Sequence, residues 1–79
     1  MRYYFDVEDD FYSAVDTGGT DFRSEEAARN EAHRLAAGIA LDLLNVGGSR
    51  LTIKVRDDSK VLLQVALTLS VKACGPPTS

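Results

Sequence analysis

The stretch that decides the fold is residues 24–48, SEEAARNEAHRLAAGIALDLLNVGG. Ser24 is typical of a helix N-cap, because its hydroxyl can accept a hydrogen bond from a free amide of the first turn. Glu25 and Glu26 follow it, where the helix dipole favours negative charge. The glycines at 47 and 48 can supply a left-handed residue after the helix. The sequence therefore predicts a helix from Glu25 to about Asn45.

One side of this predicted helix is apolar. Steps of three and four residues connect Ala28, Ala32, Leu35, Ala36, Ile39 and Leu43. Gly38 stands inside the same helix and costs about 1 kcal/mol relative to alanine. We interpret Gly38 as a place where the helix closely approaches a sheet.

Alternating segments flank the helix on both sides. Before it, residues 2–8 alternate apolar and polar side chains, and residues 11–15 form a shorter strand candidate. Residues 20–22 are interpreted as a brief extension that returns toward the sheet. After the helix, residues 51–56 and 63–71 alternate in the same way, with a turn between them. The pattern predicts a hairpin on each side of the helix.

The order of elements is therefore ββαββ, which predicts an α+β fold. The economical arrangement is a two-layer sandwich, one mainly antiparallel four-stranded sheet with one helix packed on one face. The first strand is expected in the interior of the sheet. The predicted most buried side chains are Phe5, Leu35, Ile39, Ile53, Val65 and Leu67. A single domain is predicted over residues 1–72, followed by a flexible tail over 73–79.

Composition argues against several classes of protein. The 79 residues carry 9 Lys plus Arg against 12 Asp plus Glu, a net charge of -3, which disfavours a strongly basic nucleic-acid binder. The single cysteine, Cys74, cannot form an internal disulfide. The longest uncharged stretch, residues 61–71, is too short to span a bilayer. We therefore expect a cytoplasmic protein without a membrane partner.

The sequence resembles two known groups of proteins. The start Arg2-Tyr3-Tyr4-Phe5-Asp6, the Gly19-Thr20 turn, the segment Glu25-Glu26-Ala27-Ala28-Arg29 and the strand pair after the helix resemble a family of short bacterial proteins catalogued as a domain of unknown function. That resemblance implies a small stand-alone cytoplasmic protein and brings no activity or ligand. The order of elements in the first half also resembles the HicB-like antitoxins, which bind a partner toxin; this is a likeness of architecture only.

Candidate chemical sites are weak in this sequence. A metal site could be formed by several hard oxygen ligands, but the spacing of the candidate acids fits no EF-hand loop. We interpret them as solvated turn acids: Asp6, Glu8, Asp9, Asp10, Asp16 and Asp21. His33 lies off the apolar stripe and is expected on the surface. Cys74 is interpreted as an incidental tail thiol rather than a redox centre. We predict no catalytic residue, no metal and no cofactor.

Two surfaces remain as candidates for binding. Ala37, Leu41 and Leu44 form a small apolar patch opposite the core stripe of the helix, which favours contact with another protein or with a second copy. A polar sheet face is predicted to carry Arg2, Tyr4, Lys54 and Arg56, and an aromatic and basic sheet can bind single-stranded RNA. Acidic residues on that face disfavour nucleic acid.

The sequence therefore predicts a small non-enzymatic domain that acts through protein–protein contacts, with weak self-association as one form. The alternative is an antitoxin-like or regulatory partner protein with weak nucleic-acid contact through the polar sheet face. No small-molecule substrate is indicated.

Overall fold

A computed structural model describes residues 1–75 of the chain. The elements are, in order, β1 (Arg2–Asp9), β2 (Ser13–Ala14), β3 (Thr20–Asp21), α1 (Glu25–Asn45), β4 (Arg50–Arg56) and β5 (Val61–Thr68). All the strand pairs are antiparallel, and α1 packs on one face of the sheet they form. The predicted α+β class with one helix on one sheet is confirmed.

The sheet has the strand order β2-β1-β4-β5, and β3 also pairs with β1. The first strand therefore lies in the interior, as predicted. The sheet has five strands instead of four, because the brief extension at Thr20–Asp21 pairs with Tyr3 and Arg2. β2 is much shorter than the predicted strand over residues 11–15. A turn takes its first residues, since the Asp9 carboxylate accepts hydrogen bonds from the amides of Phe11 and Tyr12.

The two ends of α1 follow the sequence closely. The Ser24 hydroxyl accepts a hydrogen bond from the Ala27 amide at 3.1 Å, so the predicted N-cap is confirmed. At the other end Gly47 has φ of +79°, the left-handed conformation that glycine adopts without strain. The next amide, that of Gly48, donates to the Leu43 carbonyl at 2.9 Å. These bonds satisfy backbone groups that a helix end leaves free.

The core lies between α1 and the central strands. Its buried side chains are Tyr3, Ala28, Ala32, Ala36, Leu43, Leu51, Ile53 and Val55. Of the six side chains predicted as most buried, Ile53 is fully buried, whereas Phe5, Leu35, Ile39, Val65 and Leu67 are only partly buried. A helix is about 10–12 Å wide, and four strands span roughly 14 Å between their outer axes. One helix therefore leaves the flanks of the sheet incompletely covered.

Two further predictions concern Gly38 and the tail. The interpretation of Gly38 as a close approach to the sheet is wrong, because Gly38 is exposed and a Cβ there would meet no atom within 4 Å. Residues 73–75 of the predicted tail follow β5 without helix or strand. The rest of that tail lies outside the described residues.

Candidate interaction surfaces

The outer helix surface consists of Ala37, Leu41 and Leu44, which lie on one side of α1 at steps of four and three residues. Leu41 is 64% exposed and Leu44 is 38% exposed, and Ala37 is exposed as well. The opposite side of the same helix holds the buried alanines Ala32 and Ala36. Leu41 therefore presents an apolar side chain to solvent while α1 is anchored by its other side.

The polar sheet face was predicted to carry Arg2, Tyr4, Lys54 and Arg56. Tyr4 on β1 stands opposite Arg56 on β4, and the guanidinium lies 4.6 Å from the centre of the tyrosine ring. The Tyr4 hydroxyl donates a hydrogen bond to the Asp58 carboxylate at 2.8 Å, which raises the pKa of Tyr4. The ring predicted as a platform for stacking a base is therefore already occupied by Arg56.

Arg56 is held by two segments besides Tyr4. Its Nε donates to Asp6 at 2.8 Å, and its second nitrogen donates to Asp6 at 3.3 Å and to the Asp16 carbonyl at 2.6 Å. The hydrogen bond from Arg56 lowers the pKa of Asp6, and the same bond raises the pKa of Arg56. This ion pair is partly shielded from solvent, so both charges are largely neutralised inside the fold.

The other two residues of this face differ from each other. Arg2 donates to the Gly18 carbonyl at 2.6 Å and approaches Asp21 at 3.5 Å. Lys54 is exposed, and among residues 1–75 it has no hydrogen bond or ion pair through its side chain. Three of the four predicted residues therefore come together in a network of internal contacts, and Lys54 stays apart from it.

Asp16 organises the loop beside this network. Its carboxylate accepts hydrogen bonds from the amides of Phe5, Gly18 and Gly19, at 3.1, 3.1 and 3.0 Å. These bonds, that of Gly19 first, lower the pKa of Asp16. Gly19 has φ of +70°, and a Cβ there would lie 2.8 Å from the Tyr4 ring. Gly19 therefore lets the loop close over Tyr4 and Arg2.

Other acids of the chain bind backbone amides in the same way. Asp10 accepts hydrogen bonds from the amides of Arg50 and Ser49 and from the Ser49 hydroxyl, which lower the pKa of Asp10 to about 2. Asp57 accepts bonds from Ser59 and Lys60, and these lower the pKa of Asp57.

Within residues 1–75, no three His, Cys, Asp or Glu side chains are grouped so as to hold a metal ion.

An apolar groove was missed by the sequence interpretation. It lies between the turn after β1 and the C-terminal half of α1, and its apolar lining is Phe11, Tyr12, Ile39, Leu43 and Val46. Phe11 and Tyr12 were assigned to a strand, where their side chains would point to opposite faces. The Asp9 turn instead places both of them at the same end of the molecule, beside the end of α1.

A model of one protein family matches residues 2–68, and its description is Domain of unknown function (DUF6894). The chain belongs to this family. The match runs from the first residue of β1 to the last residue of β5, so the DUF6894 domain includes every element of the sheet and the helix. No curated protein and no solved structure matches the chain significantly.

The family membership confirms the resemblance read from the opening motif and the helix start. The likeness to HicB-like antitoxins stays a prediction. In the DUF6894 domain described here, no helix within residues 1–75 combines the length and the apolar character needed to cross a membrane.

Proposed function

We propose that this domain acts through protein–protein contacts and not through catalysis, with the outer helix surface as its main contact. The observation that carries the proposal is the exposure of Leu41, 64%, on a helix whose opposite side is buried against the sheet. An exposed apolar cluster is typical of a binding surface when its members are neighbours. Leu44 and Ala37 are such neighbours on α1.

The size of this surface sets the expected affinity. Leu41 and Leu44 together expose about as much surface as one fully exposed leucine, and its burial contributes about 1.5–3 kcal/mol. Association costs about 4–15 kcal/mol in lost translational and rotational freedom. Contact through the outer helix surface alone is therefore weak, and a stable complex requires additional area from another part of the domain.

The polar residues of the fold support a binding role over a catalytic one. Asp10, Asp16 and Arg56 have their hydrogen-bonding capacity engaged by backbone groups and by one another. A general acid or base needs a free position from which to reach a substrate proton. His33 is exposed on α1, and among the described residues no carboxylate or thiol is hydrogen-bonded to it.

The antitoxin-like alternative with nucleic-acid contact receives less support. Its nucleic-acid contact through the polar sheet face requires Tyr4 and Arg56 to be free for a base and a phosphate, and both are engaged in the internal network. Lys54 alone offers little attraction to phosphate on a chain with net charge -3. We place the proposed protein contacts in the cytoplasm, as the resemblance implied.

Site-specific photo-crosslinking tests the proposal. A photoreactive amino acid replaces Leu41 in one variant and the exposed Asn30 of the same helix in the control, in cells that naturally produce the protein. Asn30 lies roughly 16 Å from Leu41 along the helix axis. Adducts formed from position 41 but not from position 30 support the outer helix surface, and their mass identifies the partner. Equal adducts from both positions remove this surface from the proposal.

A further inference from the structure

The two edges of the sheet are built differently. On one edge β1 is covered by the two short strands β2 and β3, and between them the Asp16 carboxylate binds the Phe5 amide. On the other edge β5 runs for 8 residues and, within residues 1–75, pairs only with β4. Natural sheets usually protect such an edge with charge, proline or a short strand. Residues 61–71 contain neither charge nor proline.

The unpaired edge of β5 presents regular backbone groups. Leu69 donates its amide to the Ser49 carbonyl at 2.7 Å, so the odd-numbered residues from 63 to 69 bond to β4. A bulge opposite Val55 and Arg56 takes Val61 out of this alternation, so the regular edge begins at Leu63. Antiparallel pairing alternates, and the amides and carbonyls of the even-numbered residues therefore point away from β4. These are the outward groups of Gln64, Ala66 and Thr68.

The apolar side chains of β5 are also incompletely covered. Leu63, Val65 and Leu67 point to the face that carries α1, and each is only partly buried. The helix covers the centre of the sheet and leaves this flank in partial contact with water. Any strand that pairs with β5 would place its own side chains against these three.

We propose that the occupant of this edge is a second copy of the chain, with β5 paired antiparallel to β5 about a two-fold axis. This inference rests on the proposed function, since it names one partner and adds a second contact. Val65 then faces Val65 of the other copy, and Leu63 faces Leu67 of the other copy. This register pairs the regular part of β5, from Leu63 to Leu67, and directs the outward amide of each Ala66 to the Gln64 carbonyl of the other strand.

The distribution of charge favours a second copy of the chain as the partner of β5, and it favours antiparallel over parallel pairing. Because β5 is uncharged, two copies meet along it without repulsion between like charges. The turn before β5 carries Asp57, Asp58 and Lys60, a net charge of -1, and Lys72 follows the strand. Antiparallel pairing brings the acidic turn of one copy toward Lys72 of the other, whereas parallel pairing would set the two acidic turns side by side.

Substitution by proline tests the edge directly. Ala66→Pro removes one outward amide and leaves the bonds to β4 in place, a position that an edge strand tolerates. The control is Ser13→Pro on β2, whose amide points away from β1 because the adjacent Asp9 amide bonds Tyr12. Sedimentation velocity over a wide range of concentrations, with Cys74→Ser in every chain, measures association. We expect dimers for the parent and for Ser13→Pro, and at least tenfold weaker association for Ala66→Pro.

A cross-link tests the register and does not depend on the fate of the proline variant. The Cα atoms of facing residues that do not exchange hydrogen bonds lie about 4.5 Å apart, within the range of a disulfide. Val65→Cys in the Cys74→Ser chain is therefore expected to form a disulfide-linked dimer on mild oxidation. Leu63→Cys is the matched control, because its counterpart in the other copy lies roughly 13 Å away along the strands.

Three results overturn the inference. They are a parent chain that stays monomeric at every concentration, an Ala66→Pro chain that is folded and associates like the parent, and a Leu63→Cys chain that cross-links as readily as Val65→Cys. The proposed function fails separately, because it depends on adducts from position 41. An edge dimer without such adducts supports β5 pairing and removes the outer helix surface.

Discussion

The carboxylate of Asp16 accepts a hydrogen bond from the amide of Phe5 at 3.1 Å, at the place on β1 that neither β2 nor β3 reaches. The side chain thereby takes the role of a strand partner for one residue. The same carboxylate binds Gly18 and Gly19, so the loop that leads to β3 is tied to the middle of β1.

Removal of this carboxylate is expected to destabilise the fold. Asp16→Ala deletes three hydrogen bonds to backbone amides and leaves the Phe5 amide partly shielded without a partner, which costs about 2–4 kcal/mol. Chemical denaturation with urea measures the change in the free energy of unfolding. The control is Asp21→Ala, which removes only an exposed ion pair with Arg2 and is expected to cost less than about 1 kcal/mol. Equal losses in the two variants would contradict the role given to Asp16.

The role of Asp16 was not accessible from the sequence. The glycines at 18 and 19 mark a turn, and an aspartate before them is typical of one. Its bond to Phe5 depends on the order of the strands, because it forms only where β1 lacks a partner. Strand order depends on contacts between distant segments, and the local patterns of a single sequence do not reveal which segments pair. The acids were therefore predicted as solvated turn residues, and their bonds to amides were missed.

Asp10 makes stability depend on pH in the acid range. The amides of Arg50 and Ser49 lower the pKa of Asp10 from 3.8 to about 2 in the folded chain. A carboxyl with a lower pKa in the folded state stabilises that state when it is ionised. This contribution is complete above about pH 4 and is lost as the pH falls through about 2.

The expected result is a decrease in the free energy of unfolding between about pH 4 and pH 2, with a smaller slope for Asp10→Asn than for the parent. Urea denaturation at a series of pH values measures both slopes. Asp6, Asp16 and Asp57 also have lowered pKa values, so the variant keeps part of the dependence. Identical slopes for the parent and Asp10→Asn would show that these bonds do not favour the folded state.

The helix was predicted more accurately than the strands, for a physical reason. Its start and end depend on local groups, the Ser24 hydroxyl and the glycine at 47, which bond within one turn. β2 depends on a pairing with β1, and the turn at Asp9 shortens it to two residues. The outer helix surface followed from the same local periodicity, whereas the open edge of β5 followed only from the strand order.

Alanine is expected to have opposite effects on stability at Gly38, inside α1, and at Gly48, just after its C-terminal end. A Cβ at Gly48 would lie 2.3 Å from Leu43 side-chain atoms, so Gly48→Ala forces this buried leucine to move and costs about 1–3 kcal/mol. Gly38 has open space around its Cβ position, and Gly38→Ala is expected to stabilise the helix by about 1 kcal/mol. Thermal melting of both variants beside the parent measures the two changes. A loss of stability in Gly38→Ala would mean that the helix contacts something at that position.

The burial of two isoleucines predicts which of them contributes more to the free energy of unfolding. Ile53 is 0% exposed at the centre of β4, whereas Ile39 on α1 is only partly buried beside the apolar groove. Ile53→Ala leaves a cavity that the surrounding strands cannot close, and we expect a cost of about 3–5 kcal/mol. Ile39→Ala removes contacts at a site that water already reaches, and we expect a cost of about 2 kcal/mol or less. Because a domain of this size is stable by only about 5–15 kcal/mol, Ile53→Ala is expected to lower the urea midpoint strongly. A larger loss for Ile39→Ala than for Ile53→Ala would show that the centre of the core lies under the C-terminal half of α1 and not at β4.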